Sequence, residues 1–122
     1  MSQSKKTMLF LARKAPYSSS TPAAGLDILL TAAAFDQDVT LVFSDDGVYQ
    51  LLKEQNSEEL GLKNIAKSFP ALALYEVNKV LVDQDSLRVR RLTLKDLAID
   101  VEEIDTQSLG ELLESVDEVF NF

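Results

Sequence analysis

Short apolar runs alternate along this chain with segments that have helical character. The clearest runs are 7–11 (TMLFL), 39–43 (VTLVF) and 79–82 (KVLV). Runs that stay apolar without alternation are typical of strands buried on both faces of a parallel sheet. Strands that alternate with helices form βαβ units, whose crossovers cover both faces of such a sheet.

The other elements complete this pattern. Two further strands are predicted at 99–104, where alternation suggests an edge, and at 117–122. Helices are predicted at 21–35, at 48–52, at 62–69 and from 105 or 106 onward, and a helical turn at 86–92. The chain of 122 residues is therefore predicted to be one domain, 1–122. Its fold class is α/β: a flavodoxin-like, three-layer domain with a mostly parallel five-stranded sheet and helices on both faces.

The chain contains no cysteine and no histidine. It therefore has no thiolate nucleophile, no group that could carry a persulfide and no Ser-His-Asp arrangement. A zinc site of the Cys/His type is excluded for the same reason. We expect no catalytic residue, no cofactor and no metal, and we interpret the chain as not an enzyme. An enzyme that uses carboxylates and a metal is the remaining alternative, because any chemistry would have to rest on Asp, Glu, Lys, Tyr, Ser or Thr.

The net charge of −8 repels phosphate backbones. Direct nucleic-acid binding is therefore not expected, and a basic protein partner fits better. The sequence shows no apolar run near the ~20 residues of a membrane span. The apolar stretch 8–12 is too short for a signal-peptide core, so the cytoplasm is the expected compartment.

The first loop offers a choice between a ligand site and an ordinary helix start. Hydroxyls at 18–21 (SSST) precede a helix, where backbone N–H groups can hold a phosphate. The loop lacks the glycines that let a backbone approach phosphate, and Thr21 followed by Pro22 is a normal helix start. A small-molecule or nucleotide-binding domain of flavodoxin type is the alternative function.

Asp45 and Asp46 follow the second predicted strand. Paired acids at a strand end can bind Mg²⁺, and with Asp83 and Lys95 they invite comparison with a phospho-receiver domain. Receivers carry their acid pair after the first strand, so the placement does not match. The favoured interpretation is that Asp45 or Asp46 caps the short helix near 48, with Gly47 relaxing the turn.

Arginines at 88, 90 and 91 stand out in an acidic chain. Arginine is enriched at protein interfaces and binds carboxylates bidentately, although a charged run is also a common solvated face. The aromatic ending at 119–122 packs either in the domain core or against another subunit.

Five segments in register resemble the TusC/DsrF family of DsrE-like sulfur-relay proteins. They are 24–30 (AGLDILL), 44–52 (SDDGVYQLL), 74–77 (LYEV), 83–87 (DQDSL) and 117–122 (DEVFNF). The resemblance covers essentially the whole chain.

This resemblance implies a DsrE-like fold and assembly with TusB-like and TusD-like subunits as a dimer of heterotrimers, a heterohexamer. The persulfide would be carried by a cysteine of the TusD-like subunit. The complex would receive sulfur from a TusA-like carrier and pass it through a TusE-like carrier to 2-thiolation of the tRNA wobble uridine. A DsrEFH-type subunit in sulfur oxidation is the alternative.

The chain departs from the family pattern at two places. Sulfur-carrying relatives hold a cysteine at the end of the third strand, where this chain reads 81–85 (LVDQD). Relatives have Arg-Gly-Leu where this chain has 90–92 (RRL), which raises the question of how the local turn forms. The expected role is a non-catalytic scaffold, and the candidate interface residues are Asp45, Asp46, Tyr49, Tyr75, Arg88, Arg90 and Phe122.

Overall fold

The computed structural model describes residues 6–13, 21–35, 37–52, 77, 79–97 and 101–121, with the side chains of 21–26 excepted. The strands are β1 (Thr7–Ala12), β2 (Asp38–Phe43), β3 (Lys79–Asp83), β4 (Glu102–Ile104) and β5 (Glu118–Asn121). The helices are α1 (Thr21–Ala34), α2 (Gln84–Val89) and α3 (Thr106–Ser115), and two 3₁₀ turns span Asp45–Leu51 and Leu94–Asp96.

The five strands form one sheet in the order β4-β3-β2-β1-β5. Every neighbouring pair is parallel. In the centre, Phe10 lies between Leu41 on β2 and Phe120 on β5. The rings of Phe10 and Phe120 stack with their centroids 5.0 Å apart. The predicted α/β fold with a parallel five-stranded sheet is confirmed.

Side chains of successive strand residues enter two separate cores. On one face, Phe10, Leu41 and Phe43 pack with Leu29 of α1 and Leu87 of α2. On the other face, a second cluster joins the strands to α3, and its buried members are Leu9, Leu11, Val42 and Leu109. Both faces of the strands are thus covered, which explains why β1 and β2 are mostly apolar and do not alternate with charged residues.

Three element boundaries differ from the sequence-based prediction. The helical segment after β2 starts at Asp45 instead of near 48, because it is a 3₁₀ turn that follows the strand directly. The turn predicted at 86–92 is a helix, Gln84–Val89. Strand β4 begins at Glu102 and is an edge strand, as its alternation suggested. The predicted helix at 62–69 lies outside the described residues.

The helix α3 begins where the sequence predicts. Asp105 is its N-cap, and the carboxylate of Asp105 accepts a hydrogen bond from the Ser108 N–H at 2.7 Å. This bond with the Ser108 backbone lowers the pKa of Asp105, because it stabilises the ionised carboxylate. Over the described part of the chain, none of the helices is both long and apolar enough to cross a membrane.

The turn after α2 forms although its sequence lacks a glycine. Arg91 has φ of 57°, in the left-handed region. The Leu92 N–H donates to the Leu87 carbonyl at 2.9 Å, and the Arg91 N–H donates to the Arg88 carbonyl at 3.1 Å. These two bonds define a Schellman C-cap with Arg91 in the position that glycine usually holds. The turn that the missing glycine put in question is therefore retained.

Candidate functional site

The carboxyl ends of the three central strands meet at one edge of the sheet. Ala12 lies beside Phe43, and Phe43 lies beside Val82. The residues that follow these three positions are therefore neighbours at this edge, which is where open α/β sheets usually present their functional groups. We call the residues gathered there the carboxyl-edge network; its members are Arg13, Asp45, Asp46, Tyr49, Asp83, Ser86 and Arg90.

Asp45 links all three strands of this edge. The Nε of Arg13, just after β1, donates to Asp45 Oδ2 at 2.9 Å. The backbone N–H of Asp45 donates to the hydroxyl of Ser86 at 2.8 Å. Asp45 also has φ of 50°, a left-handed conformation that aspartate tolerates better than most residues. Asp45 is therefore a connecting residue of the edge.

The expectation that Asp45 or Asp46 caps the following helix is wrong. The N-cap is Ser44, which makes no side-chain capping bond, and both acids lie inside the first turn. Their carboxylates are directed to arginines on other segments instead. A charged partner within reach gives a carboxylate a stronger hydrogen bond than a neutral backbone N–H does.

Gly47 is required for a close approach between backbones. A Cβ at this position would lie 1.8 Å from the carbonyl oxygen of Ala12, far inside van der Waals contact. The Ser44 N–H donates to that same carbonyl at 2.9 Å, which holds the turn against the end of β1. The sequence analysis assigned Gly47 to turn relaxation, whereas the structure shows that lack of space excludes a side chain there.

Asp83 and Ser86 form a partly buried pair in the network. The hydroxyl of Ser86 donates to Asp83 Oδ2 at 2.5 Å. Asp83 Oδ1 is buried and accepts no hydrogen bond from the residues that the structure describes. Asp83 ends β3, the point at which the family resemblance places the cysteine of sulfur-carrying relatives. This chain holds a hydrogen-bonded carboxylate there, which cannot form a persulfide.

Asp46, Tyr49 and Arg90 form a second part of the network. The Nη2 and Nε of Arg90 donate to Asp46 Oδ1 at 2.9 and 3.3 Å. Arg90 Nη1 donates to the Ser86 carbonyl at 3.2 Å. The guanidinium carbon lies 5.8 Å from the centre of the Tyr49 ring, within cation–π range. Three of the candidate interface residues are thus brought together.

Arg88 does not join this group. Its Nη2 donates to Asp85 Oδ1 at 2.8 Å, and both side chains are at least half exposed. The Thr106 hydroxyl donates to Asp85 Oδ2 at 2.6 Å, which ties α2 to the start of α3. The Thr106 hydrogen bond is the main cause, and Arg88 the next, of a lowered pKa for Asp85.

The remaining predicted positions are not part of what the structure describes. Tyr75 and Phe122 of the candidate interface lie outside the described residues, as does the loop at 18–20 considered for phosphate binding. The hydrophobic residues of the C-terminal segment that the structure describes are Val119 and Phe120. They are 40% and 37% exposed on the edge strand β5.

Two members of the network were not selected from the sequence. Arg13 directly follows an apolar strand, and Ser86 lies three residues after Asp83, the spacing at which a hydroxyl can return to a strand-end carboxylate. Within the described ranges, no group of three or more Asp or Glu side chains converges as a metal site would require. The network consists of paired charges and hydrogen bonds that join three segments.

Comparison of the sequence with known proteins identifies the family of this chain. The model of the DsrE/DsrF-like family matches residues 6–122. The chain is 40% identical to "Intracellular sulfur oxidation protein DsrF" of Allochromatium vinosum, with 100% of both chains covered. It is 40% identical to "Protein TusC homolog" of Vibrio vulnificus, covering 94% of this chain and 98% of that protein. It is 38% identical to "Protein TusC homolog" of Pseudomonas aeruginosa, covering 98% of each.

A solved structure shows the same fold. The crystal structure of the ychN protein from E. coli superposes with a TM-score of 0.81, covers 96% of this chain and 99% of that one, and shares 23% identity. The family model spans nearly the whole chain, and the relatives are well above 30% identical over nearly their full length. The chain therefore belongs to the DsrE/DsrF-like family.

Proposed function

We propose that this chain is a non-catalytic subunit of a cytoplasmic sulfur-relay complex, in which a TusD-like partner carries the persulfide. The observation that carries the proposal is Asp83, which occupies the end of β3 and is held by Ser86. The chain has no cysteine at any position. The names TusC and DsrF among its relatives support a role in sulfur metabolism.

The proposed partners are TusB-like and TusD-like subunits, arranged as a dimer of heterotrimers. The candidate interface comprises the Asp46–Tyr49–Arg90 group, Asp45 and Arg88, with Tyr75 and Phe122 retained from the sequence. Arg and Tyr are enriched at the centre of protein interfaces, and Arg90 is already held in place by its described partners. The net charge of −8 suits a basic donor or acceptor of sulfur, such as TusA-like or TusE-like carriers.

The proposed pathway is 2-thiolation of the tRNA wobble uridine, in which this chain makes no direct contact with nucleic acid. A DsrEFH-type role in sulfur oxidation is the second candidate, favoured by the DsrF relative matched over 100% of both chains. The TusC homolog from Vibrio vulnificus has the same 40% identity. Sequence identity to these relatives therefore does not distinguish between the two pathways.

Assembly is tested by co-expression of this chain with the TusB-like and TusD-like proteins of the same organism. Size-exclusion chromatography with light scattering should show equal amounts of the three chains in one particle. A chain that stays alone while the other two assemble would contradict the scaffold role. The 18–21 loop would then be tested for a nucleotide or flavin, which absorbance of the purified protein reveals.

The relay itself is tested with labelled sulfur. Label should appear on the TusD-like subunit and disappear when the cysteine of that subunit is replaced by serine. It should never appear on this chain. Deletion of the gene should abolish 2-thiouridine in tRNA, measured by mass spectrometry of nucleosides. Unchanged 2-thiouridine with impaired oxidation of stored sulfur would select the DsrEFH-type role instead.

A further inference from the structure

In the turn that ends α2, Arg91 has an exposed side chain at a backbone conformation that favours glycine. Arg91 occupies the C′ position of the Schellman motif with φ of 57°. Glycine adopts this region freely, and residues with a Cβ do so at an energetic cost. Non-glycine residues in such conformations cluster at functional sites, so the cost points to a use for the side chain.

Two exposed apolar residues lie close to this arginine in the chain. Val89, in the last turn of α2, is 72% exposed, and Leu94, which opens the next 3₁₀ turn, is 46% exposed. The two residues are five positions apart in the chain, at the end of α2 and at the start of the 3₁₀ turn Leu94–Asp96. Exposed aliphatic side chains beside a polar rim are the pattern of a docking surface.

The cations at 91 and 95 differ from the three arginines whose ion pairs are described above. Arg13, Arg88 and Arg90 each pair with a carboxylate. Arg91 and Lys95 are exposed, and among the described contacts neither side chain makes an ion pair or a hydrogen bond. In a chain with a net charge of −8, two unpaired cations beside exposed aliphatic groups form a local reversal of charge.

We propose that Val89, Arg91, Leu94 and Lys95 form a docking surface for a partner subunit that presents carboxylates around an apolar side chain. The proposal rests on the proposed function, because the partner is a protein of the same complex. The free cations supply the charge complementarity, and the aliphatic groups supply the area removed from water. A nucleic acid fits less well, since a phosphate backbone offers nothing to Val89 and Leu94 and the whole chain repels it.

The test uses the purified full chain and its co-expressed TusB-like and TusD-like partners. Arg91→Gly is the informative variant, because it removes the charge while relieving the left-handed strain. It should raise the melting temperature of the isolated chain by about 4 °C and still weaken assembly. Loss of binding by a more stable protein cannot be ascribed to misfolding. Lys95→Glu reverses the second charge.

Dissociation constants are measured by isothermal titration at low and high salt. Arg91→Gly with Lys95→Glu should raise the dissociation constant about tenfold, and added salt should shrink that ratio. Arg91→Lys should bind nearly as wild type. Lys79→Glu is the matched control, since Lys79 is exposed and unpaired among the described residues but begins β3 at the opposite edge.

The outcomes separate this proposal from the one on which it depends. A wild-type chain that binds neither partner would overturn both. Wild-type assembly with unchanged affinity in Arg91→Gly and Lys95→Glu would overturn only the docking surface. The surface would also be rejected if these variants kept the complex but lost binding to fluorescent tRNA, which would assign the cations to nucleic acid.

Discussion

Arg90 donates two hydrogen bonds to a single oxygen of Asp46, across 44 residues of sequence, at 2.9 and 3.3 Å. The pair joins the turn after β2 to the end of α2. The side chain of Arg90 is only 19% exposed, whereas Asp46 is 59% exposed. Arg90 is thus the more buried residue of the pair, and Asp46 is the more exposed one.

Arg90→Ala should destabilise the fold by about 2 kcal/mol, because it removes hydrogen bonds from a charged group and the contact with Tyr49. Asp46→Ala should cost less, about 0.5 kcal/mol, as is usual for an exposed partner. Urea unfolding of both single variants and the double variant gives the coupling energy. A coupling near zero would mean that the ion pair contributes nothing measurable.

Gly47→Ala should destabilise the protein by about 3 kcal/mol, because the new methyl group would lie 1.8 Å from the Ala12 carbonyl. Gly110→Ala is the matched control. Gly110 lies inside α3 with nothing within 4 Å of an added Cβ. Alanine there should stabilise the protein by about 1 kcal/mol through helix propensity. Equal melting temperatures for the two variants would contradict the close approach.

Ser86→Ala should cost about 3 kcal/mol. The buried carboxylate of Asp83 would lose the hydroxyl that donates to it, and the Asp45 N–H would lose its acceptor. Ser115→Ala removes an exposed hydroxyl that donates to a carbonyl within its own helix, and should change stability by less than about 0.5 kcal/mol. Denaturant midpoints measure both, and similar values for the two serines would contradict this role for Ser86.

Acid should weaken the connection between the first and last strands. The Thr7 N–H, at 2.8 Å, and hydroxyl, at 3.0 Å, both donate to Asp117, and the backbone bond is the main cause of a lowered pKa for Asp117. A folded pKa below the unfolded value of about 3.9 gives stability that is present above that value. This stability is lost as the pH falls through the folded pKa.

Melting temperatures of wild type and Asp117→Asn, measured from neutral pH down through the acidic range, test this linkage. The advantage of the wild type should be constant above pH of about 4 and should shrink below it. Glu114→Gln, which removes a carboxylate at an exposed position of α3, is the matched control. A wild-type advantage that persists undiminished in strong acid would contradict the assignment.

The strands could be predicted from sequence because burial on both faces leaves a local signature. Leu9 and Leu41 are fully buried, and each lies in a short, mostly apolar run. The N-cap Asp105 could also be found, since a capping residue acts within one turn of its own helix. Asp46, Tyr49 and Arg90 of the candidate interface do lie together. Their contacts arise because the sheet brings distant segments together, and sequence spacing does not reveal them.

The pairings of the carboxyl-edge network could not be predicted in the same way. Arg13 and Asp45 are 32 residues apart, and only the register of β1 against β2 brings them together. Asp45, two residues before Gly47, resembles a helix cap when its pairing with Arg13 is not known. The glycine of relatives pointed to a turn at Arg91, but the sequence did not show that an arginine adopts the left-handed conformation there.

The position of β1 between β2 and β5 has a consequence for synthesis of the protein. β2 follows within a few tens of residues, but Asp117, which bonds to Thr7 beside β5, is 110 residues away. A ribosome that adds 5–20 residues each second needs roughly 5–20 s to cover that interval. Throughout this time one edge of the apolar strand β1 stays unpaired on the nascent chain, which is the period when it needs protection from aggregation.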